Sequence, residues 1–145
     1  MQVKGINEVI SKLRQYGKEA ERDIEGVTQQ VARNIERYAK ENANAFTDNG
    51  DLAQSINAVE QTKLNWKIIA NNSGVAPYAP FVEFGTGGLV VVPQELKELA
   101  IKFKGKGVKK INLRARPYLY PALLKGRVEY LDKLKKVLSK YGKVT

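Results

Sequence analysis

The sequence predicts an α+β fold: a long N-terminal helix, a small, mostly antiparallel sheet of three to four strands, and a C-terminal helix packed on that sheet. Three observations predict it. Apolar residues recur in steps of three and four from Ile6 to Tyr38. Two short β-prone runs flank Lys63-Leu64-Asn65, and a second apolar helical stripe runs from Leu123 to Leu138. The 145 residues suit one domain, 1–145, with an inserted loop and helix segment at about 87–110.

Gln2–Lys4 reads as extended, Gly5 breaks it off, and Asn7 is a candidate N-cap. The helix that follows has one apolar face, carried by residues such as Val9, Leu13, Ile24, Val31 and Ile35. At nearly 40 residues it would span about 60 Å, against about 40 Å for the diameter of a compact domain of this size. It either bends, with Gly17 and Gly26 as candidates, or projects onto neighbouring subunits. "TDNGD" (Thr47–Asp51) is a turn, after which Asp51 caps the short turn "LAQS". Ile56–Thr62 and Trp66–Asn71 form a hairpin. Pro80 opens a short helix over Phe81–Phe84 with Gly85 as its C′ residue, a short strand being the competing reading. Leu89–Val92 is extended, and Pro93 opens a helix with Leu96, Leu99, Ala100 and Phe103 on one face. "KGKGVKK" is a mobile basic loop, and Ile111–Ala115 alternates as a strand does. Pro117 and Pro121 bracket the approach to the last helix, which runs to about Lys140.

Composition narrows the chemistry. The chain has no cysteine and no histidine, which excludes disulfides, thiolate and imidazole metal sites, and the Ser-His-Asp and Cys-His devices. No apolar run approaches the roughly 20 residues of a membrane span, and MQVKGINEV has no apolar signal core, so a cytosolic protein or one assembled there is expected. The net charge of +10 is unevenly placed: up to residue 93 there are 10 Lys/Arg against 11 Asp/Glu, and beyond it 15 against 4. A basic last third points to a polyanion or an acidic partner surface, or to a solvated lysine-rich face.

"YAPFVEFGTGG" (78–88) poses the functional question, because one carboxylate, Glu83, sits in an apolar run before a cluster of glycines. The glycines lack the lysine and spacing of a phosphate loop and the G-x-G-x-x-G of a dinucleotide site. "DNGD" lacks the remaining ligands of a calcium loop. Glu83 has no second carboxylate near it in sequence, and a carboxylate among Phe81, Val82 and Phe84 must be solvated, hydrogen-bonded or paired. Arg114 and Arg116 are the candidate partners, through a bidentate guanidinium fork. No catalytic residue, metal ligand or cofactor is expected. The expected structure is a corner built from Tyr78, Phe81, Glu83, Phe84, Gly85 and Thr86, with Arg114, Arg116, Pro117, Tyr118 and Pro121. Lys104, Lys106, Lys109 and Lys110 are candidate contacts to DNA or an acidic partner, and loops 85–92 and 104–110 are expected to be mobile in the free protein.

Three pieces in order, "NGDLAQSI" (49–56), "YAPFVEFGTGG" (78–88) and "ARPYLYPAL" (115–123), resemble the head–tail joining proteins of tailed bacteriophages, also described as neck or tail-completion proteins. Residues 89–107 resemble an insert found in part of that family. The resemblance implies a non-enzymatic virion component, a homo-oligomeric ring, hexameric or dodecameric, at the neck around the DNA passage. It implies portal or adaptor proteins on one side, tail terminator or tail tube proteins on the other, and no membrane partner. Two other readings stand beside it: a sequence-independent nucleic-acid-binding module using residues 94–145, and an enzyme built on Glu83, which lacks any supporting constellation.

Overall fold

The computed structural model describes residues 6–45, 50–70, 74, 76–88, 90–92, 94 and 110–142. Helix α1, Ile6–Asn44, is a single helix of 39 residues, about 58 Å long. Gly17 and Gly26 lie inside it with open space where a Cβ would stand. Helix α2, Asp51–Gln54, starts after Gly50, which occupies the N-cap in a left-handed conformation (φ 73°) and displaces the Asp51 cap expected from the sequence. Strands β1, Asn57–Thr62, and β2, Asn65–Ile69, form the expected hairpin, with Ala58 opposite Ile68 and an irregularity between Glu60 and Thr62. Helix α3, Ala79–Phe84, carries a proline in its first turn. A two-residue ribbon, β3 (Val90–Val91) with β4 (Lys110–Ile111), precedes helix α4, Leu119–Gly142.

Two sequence expectations are corrected. The sheet has two strands, not three to four: among the described residues β1 and β2 pair with each other, and β3 and β4 form a separate pair. The outer edge of β1 is met by a helix, since the Ala58 N–H donates to Glu36 Oε2 of α1 (2.9 Å). The alternating residues 112–115 serve no strand, because they run beside the end of α3. The second correction concerns α4, which packs chiefly on α1 rather than on the sheet. Helix α1 is the shared layer, carrying α2 and the hairpin as well. Its Val31, Ile35, Ala39 and Ala43 form the core with Leu52, Ile56, Ala79, Tyr118 and Ala122.

The two long helices run antiparallel. Asn42 lies beside Tyr118, Ile35 beside Gly126, and Asp23 beside Lys140 and Tyr141. Glu129 of α4 accepts from Asn34 Nδ2 (2.6 Å) and Tyr38 Oη (3.0 Å). Burial pushes the Glu129 carboxyl up, but the bonds from Lys133, Asn34 and Tyr38 outweigh it and hold its pKa below the ordinary value. The rings of Tyr16 and Tyr141 stand 6.4 Å apart, so residues 6–15 carry α1 on for about 15 Å past the end of α4.

Gly126 sets how closely the helices approach. A Cβ there would overlap Ile35 Cγ1 and Cδ1, and Ile35 is itself buried. Gly126→Ala is therefore expected to destabilise by about 1–3 kcal/mol through overpacking, despite the better helix propensity of alanine. Denaturant unfolding checks this: Ile35→Ala combined with Gly126→Ala should cost clearly less than the sum of the single changes.

The expected helix at residues 93–103 and the loop holding Lys104, Lys106 and Lys109 lie outside the described residues, Gln94 apart. Lys110 is exposed on β4. Among the described residues no helix is long and apolar enough to cross a membrane.

Candidate functional site

The three signature stretches of the sequence meet at one corner, between the C-terminal end of α1 and the start of α4. Helix α2 and the two residues that follow it contribute Leu52, Ser55 and Ile56, each 0% exposed. Tyr78, at the N-cap of α3, reaches back to this stretch through a hydrogen bond with the Leu52 backbone. Burial, and then the charge of Asp51, push the Tyr78 phenol above its ordinary pKa. Tyr118 fills the centre at 1% exposure, and its hydroxyl lies 3.4 Å from the Ala79 carbonyl oxygen.

Glu83 is buried, and its carboxylate is held by backbone. Oε2 accepts from the N–H groups of Tyr118 and Leu119 (both 2.8 Å), and Oε1 accepts from Tyr120 (2.9 Å). These are the donors that the first turn of α4 cannot satisfy for itself. The next residue, Pro121, has no N–H to satisfy. One carboxylate and one proline thus close the whole N-terminal end of the helix, and the negative charge sits where the helix dipole favours it. Arg114 and Arg116 are both exposed, and backbone donors, rather than the guanidinium fork expected from the sequence, hold Glu83. Pro121, expected ahead of the helix, lies within its first turn.

The segment leading into α4 is laced to the end of α3. The Arg116 N–H donates to the Val82 carbonyl (2.8 Å) and the Thr86 N–H to the Leu113 carbonyl (3.1 Å). Thr86 Oγ1 accepts from the Leu113 N–H (2.9 Å) and donates to the Gly88 carbonyl (2.6 Å). Gly85 makes the approach possible: φ is 69° and ψ −171°, and a Cβ there would stand 2.7 Å from both Ala115 N and Leu113 O. Of the loop 85–92, expected to be mobile, Thr86 is tied at these points, while residue 89 lies outside the described residues.

Phe81 is half-buried, but Phe84 is 78% exposed, which corrects the expectation that it packs the corner. A six-residue helix that turns Glu83 inward carries the next residue outward. Pro117, Tyr120 and Pro121 are also exposed. Chemically the corner is a brace. Both oxygens of its acid accept from backbone amides, and burial favours the protonated phenols of Tyr78 and Tyr118. Burial, followed by the Glu83 charge, pushes the Tyr118 phenol up to about 12. Because its folded pKa lies above the unfolded value of about 10, its contribution to stability is complete below pH 10 and is lost as pH rises through about 12. Ultraviolet titration should show one tyrosine ionising after the rest, together with unfolding, and Tyr118→Phe should remove that late step.

Reading the sequence alone missed the backbone cap, and one signal pointed to it: a lone acid in an apolar run, paired with a downstream helix start whose third residue is proline. A family model described as "Bacteriophage HK97-gp10, putative tail-component" matches residues 7–85. That span holds the first signature stretch and the second up to Gly85, and stops short of the third. Searches of curated proteins and of solved structures gave no match.

Proposed function

The chain belongs to the HK97-gp10-like family of phage tail components, and from that premise we propose that it is a structural joint of the virion. In this reading it assembles as a ring at the neck, between the portal or adaptor complex and the tail terminator or tail tube, around the DNA passage. The observation that carries the reading is the consumption of Glu83. The one acid that resembled a catalytic group closes a helix end, so the most distinctive residues of the chain hold elements together, which supports a structural role.

Other features support it. Helix α1 extends past its covering helix, and several large apolar residues stay exposed, Phe84 and Val91 among them. Both leave surface for neighbouring proteins. The nucleic-acid reading is weaker, because Lys133, Lys136 and Lys140 each engage a carboxylate within the chain.

Electron microscopy of assembled particles carrying a labelled chain tests the proposal. Density for the label as a ring at the head–tail junction is the expected result. Label along the tail shaft, in the capsid shell, or absent from the particle would overturn it.

A further inference from the structure

On the side of α4 turned away from α1 lies a second apolar stripe. Leu124, Val128, Leu131 and Leu138 are 43%, 71%, 50% and 60% exposed. Together with Lys135 they follow one another at intervals of four, three, four and three residues. That is the spacing of a coiled-coil seam, with leucine at every d position and Val128 and Lys135 at a. The inward face of the same helix is taken by Ala122, Gly126, Glu129 and Tyr130. One helix thus presents two faces, and among the described residues only one is covered.

The spacing names the shape of the missing occupant, since a four-three seam is filled by the side chains of another helix. Charge names its chemistry. Arg127 borders the seam and Lys135 interrupts it, and neither meets a carboxylate among the described residues, whereas Lys133, Lys136 and Lys140 do. A second copy would bring the same two cations and a chain charge of +10 to the contact. Duplex DNA would answer the cations but leave four aliphatic side chains facing water. We propose that the outer seam of α4 docks an amphipathic helix of a different protein, with apolar residues at a and d flanked by Asp or Glu. The inference rests on the reading of the chain as a joint between virion proteins, and names the chemistry of one such partner.

Two synthetic three-heptad peptides test it, both with leucine at a and d, one with Glu and one with Lys at e and g. The Glu peptide repels itself and is free to bind. Calorimetry with the full chain should show the Glu peptide binding at least tenfold more tightly than the Lys peptide. Val128→Asp and Leu131→Asp should each weaken it at least tenfold, with circular dichroism unchanged. The double change Arg127→Glu and Lys135→Glu should reverse the preference between peptides. Equal affinities, or no binding of the Glu peptide, would overturn the proposal. So would light scattering that shows the chain self-associating through this face and dissociating in Val128→Asp. Misplaced density in the particle with peptide binding intact would count against the neck assignment alone, and correct density without peptide binding against the seam alone.

Discussion

Glu83→Ala is expected to lower the unfolding free energy by about 3 kcal/mol, the scale of leaving several buried donors without an acceptor. The substitution strips the N–H groups of Tyr118, Leu119 and Tyr120 of their common partner, at a point where Tyr118 is almost wholly buried. For a chain of this size the melting temperature should fall by about 6–12 °C. Glu83→Gln should cost about 2 kcal/mol, because the amide keeps one acceptor oxygen but turns a donor toward a donor. Native-state hydrogen exchange gives the specific readout. The three amides should lose protection in both variants, and loss should be greater there than in the middle of α4. Unchanged protection at 118–120 would mean that Glu83 does not close the helix.

Gly85→Ala is expected to be the most damaging small substitution in the chain, costing about 4 kcal/mol or preventing folding. Two effects coincide. The backbone has φ 69° and ψ −171°, a conformation that is essentially glycine's alone. The added Cβ would also stand 2.7 Å from two backbone atoms of the segment 113–115, neither of which can rotate away. Pushing that segment off would break the Thr86 bonds to Leu113 and the Arg116 bond to Val82. Gly87→Ala is the control, with nearly the same φ of 67° but open space around the new Cβ. It should cost only about 1 kcal/mol. Denaturant melts of the two variants separate backbone strain from the close approach, and similar losses in both would refute the account given for Gly85.

Much of the fold was legible because helices and turns are local. The spacing of Ile24, Val31 and Ile35 marks α1, and the stripe from Leu123 to Leu138 marks α4. The hairpin follows from two β-prone runs across a short turn, and α3 from Pro80 and Gly85 at its ends. The size of the sheet was not legible, because a strand's second neighbour is a tertiary fact: Ala58 finds Glu36 on a helix where another strand had been expected. The same holds for α4. Its leucines are spaced like a single buried face, yet Leu124, Val128 and Leu131 look outward, while Gly126 and Ala122, which carry almost no hydrophobic signal, make the contact with the core.

The corner shows the division most clearly. From the residues alone, Glu83 had to be solvated, hydrogen-bonded or paired, because it stands in an apolar run, and the absence of histidine and cysteine removed most catalytic alternatives. The residues also offered a short helix ended by Gly85, with a strand as the competing reading, and a last helix approached through Pro117 and Pro121. What Glu83 meets is set by the packed fold. Sequence reasoning looks for complementary charges and so turned to Arg114 and Arg116, whose side chains advertise themselves. The actual donors are backbone N–H groups, which every residue except proline possesses and which become distinctive only where a helix starts and leaves them unpaired. Which of the chain's many amides would be left open, and whether an acid 35 residues away would reach them, depended on the fold bringing α3 to the start of α4.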